Sequence, residues 1–496
     1  MENGNRKELL HHVLMFPWLA HGHISPFLEL SMRLAGRGIT VSFCSTPSNI
    51  NSIKRTLQSH DDGETALNSI NLVELPLPLV DGLGPSHETT ASLPPHLMPL
   101  LKKAFDSLET SFGMLLQRLS PDCVIHDFLQ PWTSPVASKF GIPSLTFVPC
   151  SAVVVAYFLC AVKGKDSEQV TVEDLINPLD FPSSSTVRLH QFEALQTLNM
   201  YKRNRETGIS DCERLQGCAN KCSAIAVKTF PEIEGKFLRL LESLTGKHVV
   251  ALGPLLTKQP SSNASEQDSK CLAWLDRQKR SSVVFVSFGT EYFLSKDQIE
   301  EIALGLEASE QSFMWVLRFP QGPEGNVNDQ QRRVSASLSA GFEERMKVKG
   351  IVVSGWAPQM KILRHPSTGG FMTHCGWSSV MEGMSAGLPL IALPMQLDQP
   401  LNARLVAGDL KVAIEVRKGS DGRLDRNEIE RALRIAMVEE EGLQLRMNAK
   451  HMGEIMMAKS EEERGLDLLV EEIETLVGKR NNVFRRDSNI ISMEAA

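Results

Sequence analysis

A chain of 496 residues, 42% hydrophobic and 22% charged, reads as a soluble globular protein too long for one comfortable core, so two domains are expected. Its net charge of −7 offers no basic footprint for nucleic acid, and no apolar run reaches the roughly 20 residues of a membrane span. The 9 cysteines are odd in number and lack paired spacing, which fits reduced thiols in a cytoplasmic protein better than a disulfide framework.

The N-terminus carries Arg6, Lys7 and Glu8 before a short apolar stretch, and reads as the approach to a first strand rather than a secretory leader. His12–Phe16 is that strand. A loop with His21 and His23 then leads to a helix expected to start at Ser25-Pro26, because proline suits an early helical position. Further strands are expected at 39–44, 70–77, 121–127, 142–148, 223–229 and 248–252, alternating with helices, as in a doubly wound sheet. Residues 253–269, GPLLTKQPSSNASEQDS, read as a linker by composition. The pattern then restarts with strands at 282–288, 313–319, 350–355, 368–373, 388–394 and 412–416, and a polar loop from Pro320 to about Ser337. This gives an N-terminal domain over 1–252 and a C-terminal domain over 270–478 whose last helices can pack back on the first. Residues 479–496 have mixed charge and no periodicity, and are expected to be disordered.

Within the second half, Thr368–Thr373 is a short apolar run beside glycines, and His374-Cys375-Gly376-Trp377-Ser378-Ser379 leads directly into a helical pattern ending at Gly387 and Pro389. A strand-turn-helix aims backbone N–H groups and the positive helix end at one point, which suits a phosphate. Gly376 lets the main chain approach, Ser378 and Ser379 can add hydroxyl donors, and His374 can add another hydrogen bond. Gly289-Thr290, after the strand 282–288, is a second turn suited to phosphate. Asp398 and Gln399 fall just past the strand 388–394, where open α/β sheets hold ligands. In the first half, His23 near a strand end and Asp127 at the close of another are a candidate base and its partner, with His21 as competitor and His126 facing the other way.

The stretch WAPQMKILRHPSTGGFMTHCGWSSVMEGMSAGLPLIALPMQLDQ, from Trp356 to Gln399, resembles the secondary product glycosyltransferase box of the plant UDP-sugar-dependent glycosyltransferases, and the likeness extends over nearly the whole chain. The resemblance implies the GT-B fold: two Rossmann-like β/α/β domains facing each other across a cleft. It implies that Trp356 stacks on uracil, that Ala357 bonds the uracil edge through its backbone, and that Gln359 and Glu382 hold the ribose hydroxyls. His374 and Ser379 would bind phosphates, and Trp377, Asp398 and Gln399 the sugar. One position departs: the family usually has Asn where this chain has Ser378. His23 matches the family's catalytic base, and Asp127 the acid that orients it.

The expected activity is therefore inverting transfer from a UDP-sugar, with UDP-glucose favoured because Gln399 accompanies glucose in the family. No Asp-x-Asp pair suggests a divalent ion on the diphosphate, and the spacing of His365, His374 and Cys375 fits no usual zinc site, so no metal and no cofactor beyond the UDP-sugar co-substrate are expected. The absence of Gly-x-Gly-x-x-Gly after the first strand weighs against a nicotinamide or flavin enzyme. Phe16–Pro26 resembles the branch that extends existing glycosides. The expected acceptor is thus a flavonoid, terpenoid or lignan glucoside, its aglycone covered by Trp18, Phe128, Trp132 and Phe147. The alternatives are that these aromatics are core and free aglycones are the acceptors, or that the chain binds nucleotide sugars without turnover. A monomer is expected.

Overall fold

The strand β1 (His12–Phe16) is buried from Val13 onward, as expected of a parallel strand covered on both faces. Around it, the computed structural model, which describes residues 11–58, 69–91, 93–256, 266–319 and 327–494, builds two parallel sheets. The first adds β2 (Thr40–Ser45), β3 (Ile70–Glu74), β4 (Cys123–Asp127), β5 (Ser144–Val148), β6 (Ala224–Val227) and β7 (Val249–Ala251), in the order β3-β2-β1-β4-β5-β6-β7. The second contains β8 (Val283–Ser287), β9 (Ser312–Leu317), β10 (Gly350–Ser354), β11 (Thr368–Thr373), β12 (Leu390–Ala392) and β13 (Ala413–Glu415), in the order β10-β9-β8-β11-β12-β13.

Each sheet reverses its winding once, between β1 and β4 in the first and between β8 and β11 in the second. At such a reversal the connections leave in opposite directions, opening a crevice at the C-terminal strand ends. His23 and Asp127 lie at the first reversal, and Thr290 and His374 at the second.

The chain groups into two compact units: one change between them falls within 253–269, where the boundary was expected and where most residues lie outside the described ones, and the chain also changes unit elsewhere. Residues 150–202, expected in the first domain, belong to the second unit. Polar anchors explain this: Ser151 bonds Asn402, Ser185 and Thr186 bond Asp409, and Glu193 bonds Arg404. Conversely, the C-terminal helix Lys459–Glu494 places Leu466, Leu469, Ile473 and Val477 in the core of the first unit beside Val13, Phe27 and Leu252. Their helical spacing makes one apolar face. The backbone of this helix runs on to Glu494, through most of the 479–496 segment for which disorder was expected.

Two local expectations also change. The first helix spans His21–Ala35, so His23 lies in its first turn rather than in a loop; Pro26 sits inside the helix. Within the loop expected at 320–337, residues Val327–Ser337 form a helix whose Val334 enters the second unit's core, while 320–326 lie outside the described residues. All nine cysteines are free thiols. No helix among the described residues is long and apolar enough to cross a membrane.

Candidate active site

In the first unit, β4 carries Asp127 to the sheet's end, fully buried, and the first helical turn brings His23 Nδ1 to 2.8 Å from its Oδ2. The carboxylate is fixed by two backbone groups: Trp18 N–H donates to Oδ2 (3.2 Å) and Phe128 N–H to Oδ1 (2.8 Å). An acceptor so placed calls for the hydrogen on Nδ1 of His23, which turns the lone pair of Nε2 away from Asp127. The His23 side chain keeps 21% of its surface exposed, and its ring lies 5.4 Å from that of Phe128. A base that can reach a hydroxyl, oriented by a buried carboxylate, is the arrangement needed to deprotonate an alcohol as it attacks.

The neighbouring histidines behave differently. His21 is exposed. His126 is sealed in the core between the Asp127 carbonyl and the Ser134 hydroxyl, both at 2.8 Å, and burial pushes its pKa down to about 4. Of the aromatics expected to cover an acceptor, Trp18 and Phe147 are core residues. Trp18 packs edge-on against Phe105, and Phe147 against Phe27. Trp132 is tied down by an indole hydrogen bond to Asp106 and by Phe16 and Phe112. Phe128 stands beside His23.

In the second unit, β11 runs into a turn in which Cys375 adopts φ +65°, a costly conformation for a residue with a side chain. The helix Trp377–Ser385 then begins at Gly376 without a side-chain cap, so its positive end is available to an anion. The His374 imidazole lies in a cradle of two glycines. A Cβ on Gly289 would be 2.6 Å from Nε2, and one on Gly376 would be 2.7 Å away. Gly289 also has φ +76°. His374 Nδ1 is buried with no hydrogen-bond partner among the described residues, and burial pushes the ring's pKa down to about 4. A neutral imidazole held between two phosphate-compatible turns can donate a hydrogen bond to a diphosphate oxygen without bringing a charge. Thr290 adjoins this cradle in sequence, and Ser378 and Ser379 occupy the first helical turn.

Trp356, after β10, leaves 61% of its surface exposed and suits a nucleobase platform. Ala357 is buried, and its carbonyl accepts from Gln359 N–H. Gln359 Nε2 donates to Glu382 Oε2 (2.6 Å) and to Ser379 Oγ (3.2 Å), so two residues expected at a ribose are already joined. Trp377 is only 3% exposed, so a ligand can meet its backbone but not its indole face. Past β12, Asp398 opens the helix Gln399–Arg404. Gln399 Oε1 accepts from the N–H groups of Met395 (2.9 Å) and Gln396 (3.0 Å), which leaves the amide's NH₂ group as the part that can meet a sugar.

Sequence reasoning missed Arg318, Gln267 and Asn402. The Arg318 guanidinium lies 5.3 Å from the Trp356 ring centre and donates to the Gly355 carbonyl, and Gln267 donates to the carbonyls of Ser354 and Trp356. These contacts hold the exposed indole in place. Asn402 donates to Asp398, and its place one turn after Asp398 was a legible signal just beyond the box. Among the described residues, no three His, Cys, Asp or Glu side chains gather as a metal site.

Comparison with known proteins accords with this geometry. Residues 11–257 match the family described as "Glycosyltransferase, N-terminal domain", and residues 261–441 that described as "UDP-glucoronosyl and UDP-glucosyl transferase". A mogroside IIIx synthase of Siraitia grosvenorii is 41% identical, over 91% of this chain and 94% of its own. A beta-D-glucosyl crocetin beta-1,6-glucosyltransferase of Gardenia jasminoides is 39% identical over 93% and 98%. A flavanone 7-O-glucoside 2''-O-beta-L-rhamnosyltransferase of Citrus maxima is 36% identical over 94% and 97%. A Glycyrrhiza uralensis protein crystallised with glycyrrhetinic acid 3-O-monoglucuronide shares the fold with a TM-score of 0.76, at 23% identity over 98% of this chain and 100% of that one. The chain therefore belongs to the plant UDP-glycosyltransferases of GT-B fold, among relatives that extend sugar chains.

Proposed function

We propose that this enzyme is an inverting, metal-independent transferase that moves glucose from UDP-glucose to a sugar hydroxyl of a plant glycoside, such as a flavonoid, terpenoid or lignan glucoside. The observation that carries the reading is the 2.8 Å pair of His23 and Asp127, with the carboxylate pinned by the N–H groups of Trp18 and Phe128. His23 Nε2 accepts the acceptor's hydroxyl proton while that oxygen attacks the anomeric carbon. One displacement inverts that carbon and releases UDP. Asp127 stabilises the imidazolium that forms, and general-base help of this kind is worth about 10²–10⁴-fold.

The leaving diphosphate needs its charge met. The neutral imidazole of His374, the N-terminus of the helix Trp377–Ser385, Ser379 and Thr290 supply hydrogen bonds and dipole, which supports catalysis without a divalent ion. In this reading Trp356 takes uracil and the Gln359–Glu382 pair takes the ribose diol. Glucose is favoured as donor because Gln399 presents an NH₂ group beside the Asp398 carboxylate, a donor and an acceptor suited to equatorial hydroxyls. A glycoside acceptor is supported by relatives named for glucosyl crocetin and a flavanone glucoside.

The deciding experiment measures kcat/KM for a panel of monoglucosides and their aglycones, with UDP-glucose, UDP-rhamnose and UDP-glucuronate as donors. Preference for a glucoside over its aglycone by tenfold or more, about 1.4 kcal/mol, is expected, with UDP-glucose the best donor. Equal use of the aglycone would remove the sugar-extending reading, and a better rival donor would remove glucose.

A further inference from the structure

Ser151 and Asn402 are both fully buried, and the Ser151 hydroxyl donates to Asn402 Oδ1 at 2.6 Å. From the other side of the amide, Asn402 Nδ2 donates to the Cys375 carbonyl at 3.0 Å and to Asp398 Oδ2 at 2.9 Å. The two acceptors facing the nitrogen settle which way the amide points. Turned over, its oxygen would meet a carbonyl and a carboxylate with no hydrogen between them, in a place water does not reach. Oδ1 therefore faces Ser151, and the hydroxyl must be the donor.

The three points so joined come from different parts of the second unit. Cys375 is the left-handed residue of the turn after β11, Asp398 opens the helix beyond β12, and Ser151 precedes the helix Ala152–Ala161. Asn402 is one helical turn past Asp398, on the same face of that helix. A carboxylate at a helix start has several staggered positions. The hydrogen bond from Nδ2 selects one of them, and the Cys375 carbonyl keeps Nδ2 from following the carboxylate if it swings.

We propose that Asn402, locked in one orientation by Ser151, is the positioning residue that sets the Asp398 carboxylate for the donor sugar. The inference rests on the reading of Asp398 as a sugar contact. Asn402 touches no substrate and acts through Asp398, so its loss should be felt by UDP-sugars and hardly by UDP. The charged groups that act on this turn are Glu415, Arg404 and Lys418, with Arg404 paired to Glu193 at 3.0 Å and to Glu415 at 3.2 Å. They are unchanged in the variants below, so a variant-to-wild-type ratio cancels their titration.

The test uses the full chain and whichever of UDP-glucose, UDP-rhamnose and UDP-glucuronate it uses fastest. Asn402→Asp puts a second carboxylate against Asp398, and the repulsion between the two raises the affinity of one for a proton, which the pair lacks at high pH and gains as the pH falls. At pH 8, kcat/KM for the UDP-sugar should fall about 100-fold, and by pH 6 the deficit should shrink at least about fivefold as that proton is supplied. The Kd of UDP should stay within about threefold of wild type, and Ser151→Ala should lose about 3–10-fold in the same kcat/KM. A deficit independent of pH, or UDP weakened as much as the UDP-sugar, would mean that Asn402 only holds the helix, and the inference fails. Asp398→Asn separates the two readings: if it transfers sugar like wild type, the donor-site reading fails instead. Should Asn402→Asp not fold, Asn402→Ala and Ser151→Ala decide by the same comparison of UDP with UDP-sugar.

Discussion

Gln359 and Glu382 stand 23 positions apart on separate short helices, and the Gln359 amide donates to the Glu382 carboxylate at 2.6 Å. The bond fixes a carboxylate before any ligand arrives, so little side-chain entropy remains to be lost on binding a diol. Glu382→Gln should weaken UDP about 10–100-fold, the range for a hydrogen bond to a charged group. Calorimetry with UDP and 2′-deoxy-UDP checks it: the variant should lose most of its preference between the two, whereas an unchanged preference would place the ribose elsewhere.

His23→Ala should cost about 10²–10⁴-fold in kcat with UDP affinity unchanged, since the base and the nucleotide residues belong to different units. Asp127→Asn should be nearly as damaging, because the amide can turn its NH₂ toward Nδ1 and favour the wrong tautomer. His21→Ala should remain active. Steady-state kinetics on the three variants decides the assignment, and a dead His21→Ala beside an active His23→Ala would reverse it.

Much of this site was legible because its residues are close in sequence. The stretch from Trp356 to Gln399 concentrates the residues proposed as nucleobase platform, ribose pair, phosphate turn and sugar contact between glycines and prolines, and all thirteen strands announced themselves as short apolar runs. What stayed hidden depends on contacts across long separations. The Ser151–Asn402 bond joins residues 251 positions apart, and Arg318 finds Trp356 across a strand and two helices, with no local periodicity to mark either. The start of the first helix was misplaced because Pro26 suits a first turn in general, yet here the backbone bonds of His23 and Ile24 to the Ala20 carbonyl begin it earlier. Trp18 and Phe147 were read as ligand lining although hydrophobicity alone cannot tell a pocket wall from a core. Burial decides that, and both are buried.

Gly289→Ala should raise the KM for the UDP-sugar at least about tenfold while costing roughly 1–2 kcal/mol of stability, because it both forces a left-handed alanine and pushes a methyl into the imidazole. The added Cβ would stand 2.6 Å from His374 Nε2, so the ring has to leave its cradle. His374→Ala serves as the reference. If Gly289→Ala raises KM and the double variant is no worse than His374→Ala, the glycine acts through the histidine; additive losses would mean the two act separately.

His126 predicts how the fold responds to acid. Its ring is fully buried between the Asp127 carbonyl and Ser134, with Ser144 bonded to Ser134 behind it, and burial lowers its pKa to about 4 from the ordinary 6.5. A depressed histidine pKa means that the unfolded chain takes up a proton near pH 6.5 while the folded chain refuses it until near pH 4. Stability is therefore intact above pH 6.5, falls as the pH drops through this window, and levels off below it. From the two pKa values the loss attributable to His126 between pH 7 and pH 5 is about 2 kcal/mol. His126→Gln cannot be protonated, so it should start less stable at pH 7, having lost ring packing, yet decline less on acidification. Chemical denaturation of both proteins at pH 7 and pH 5 should show the gap between them narrowing by about that 2 kcal/mol. A constant gap would mean that the buried ring is not what makes this fold sensitive to acid.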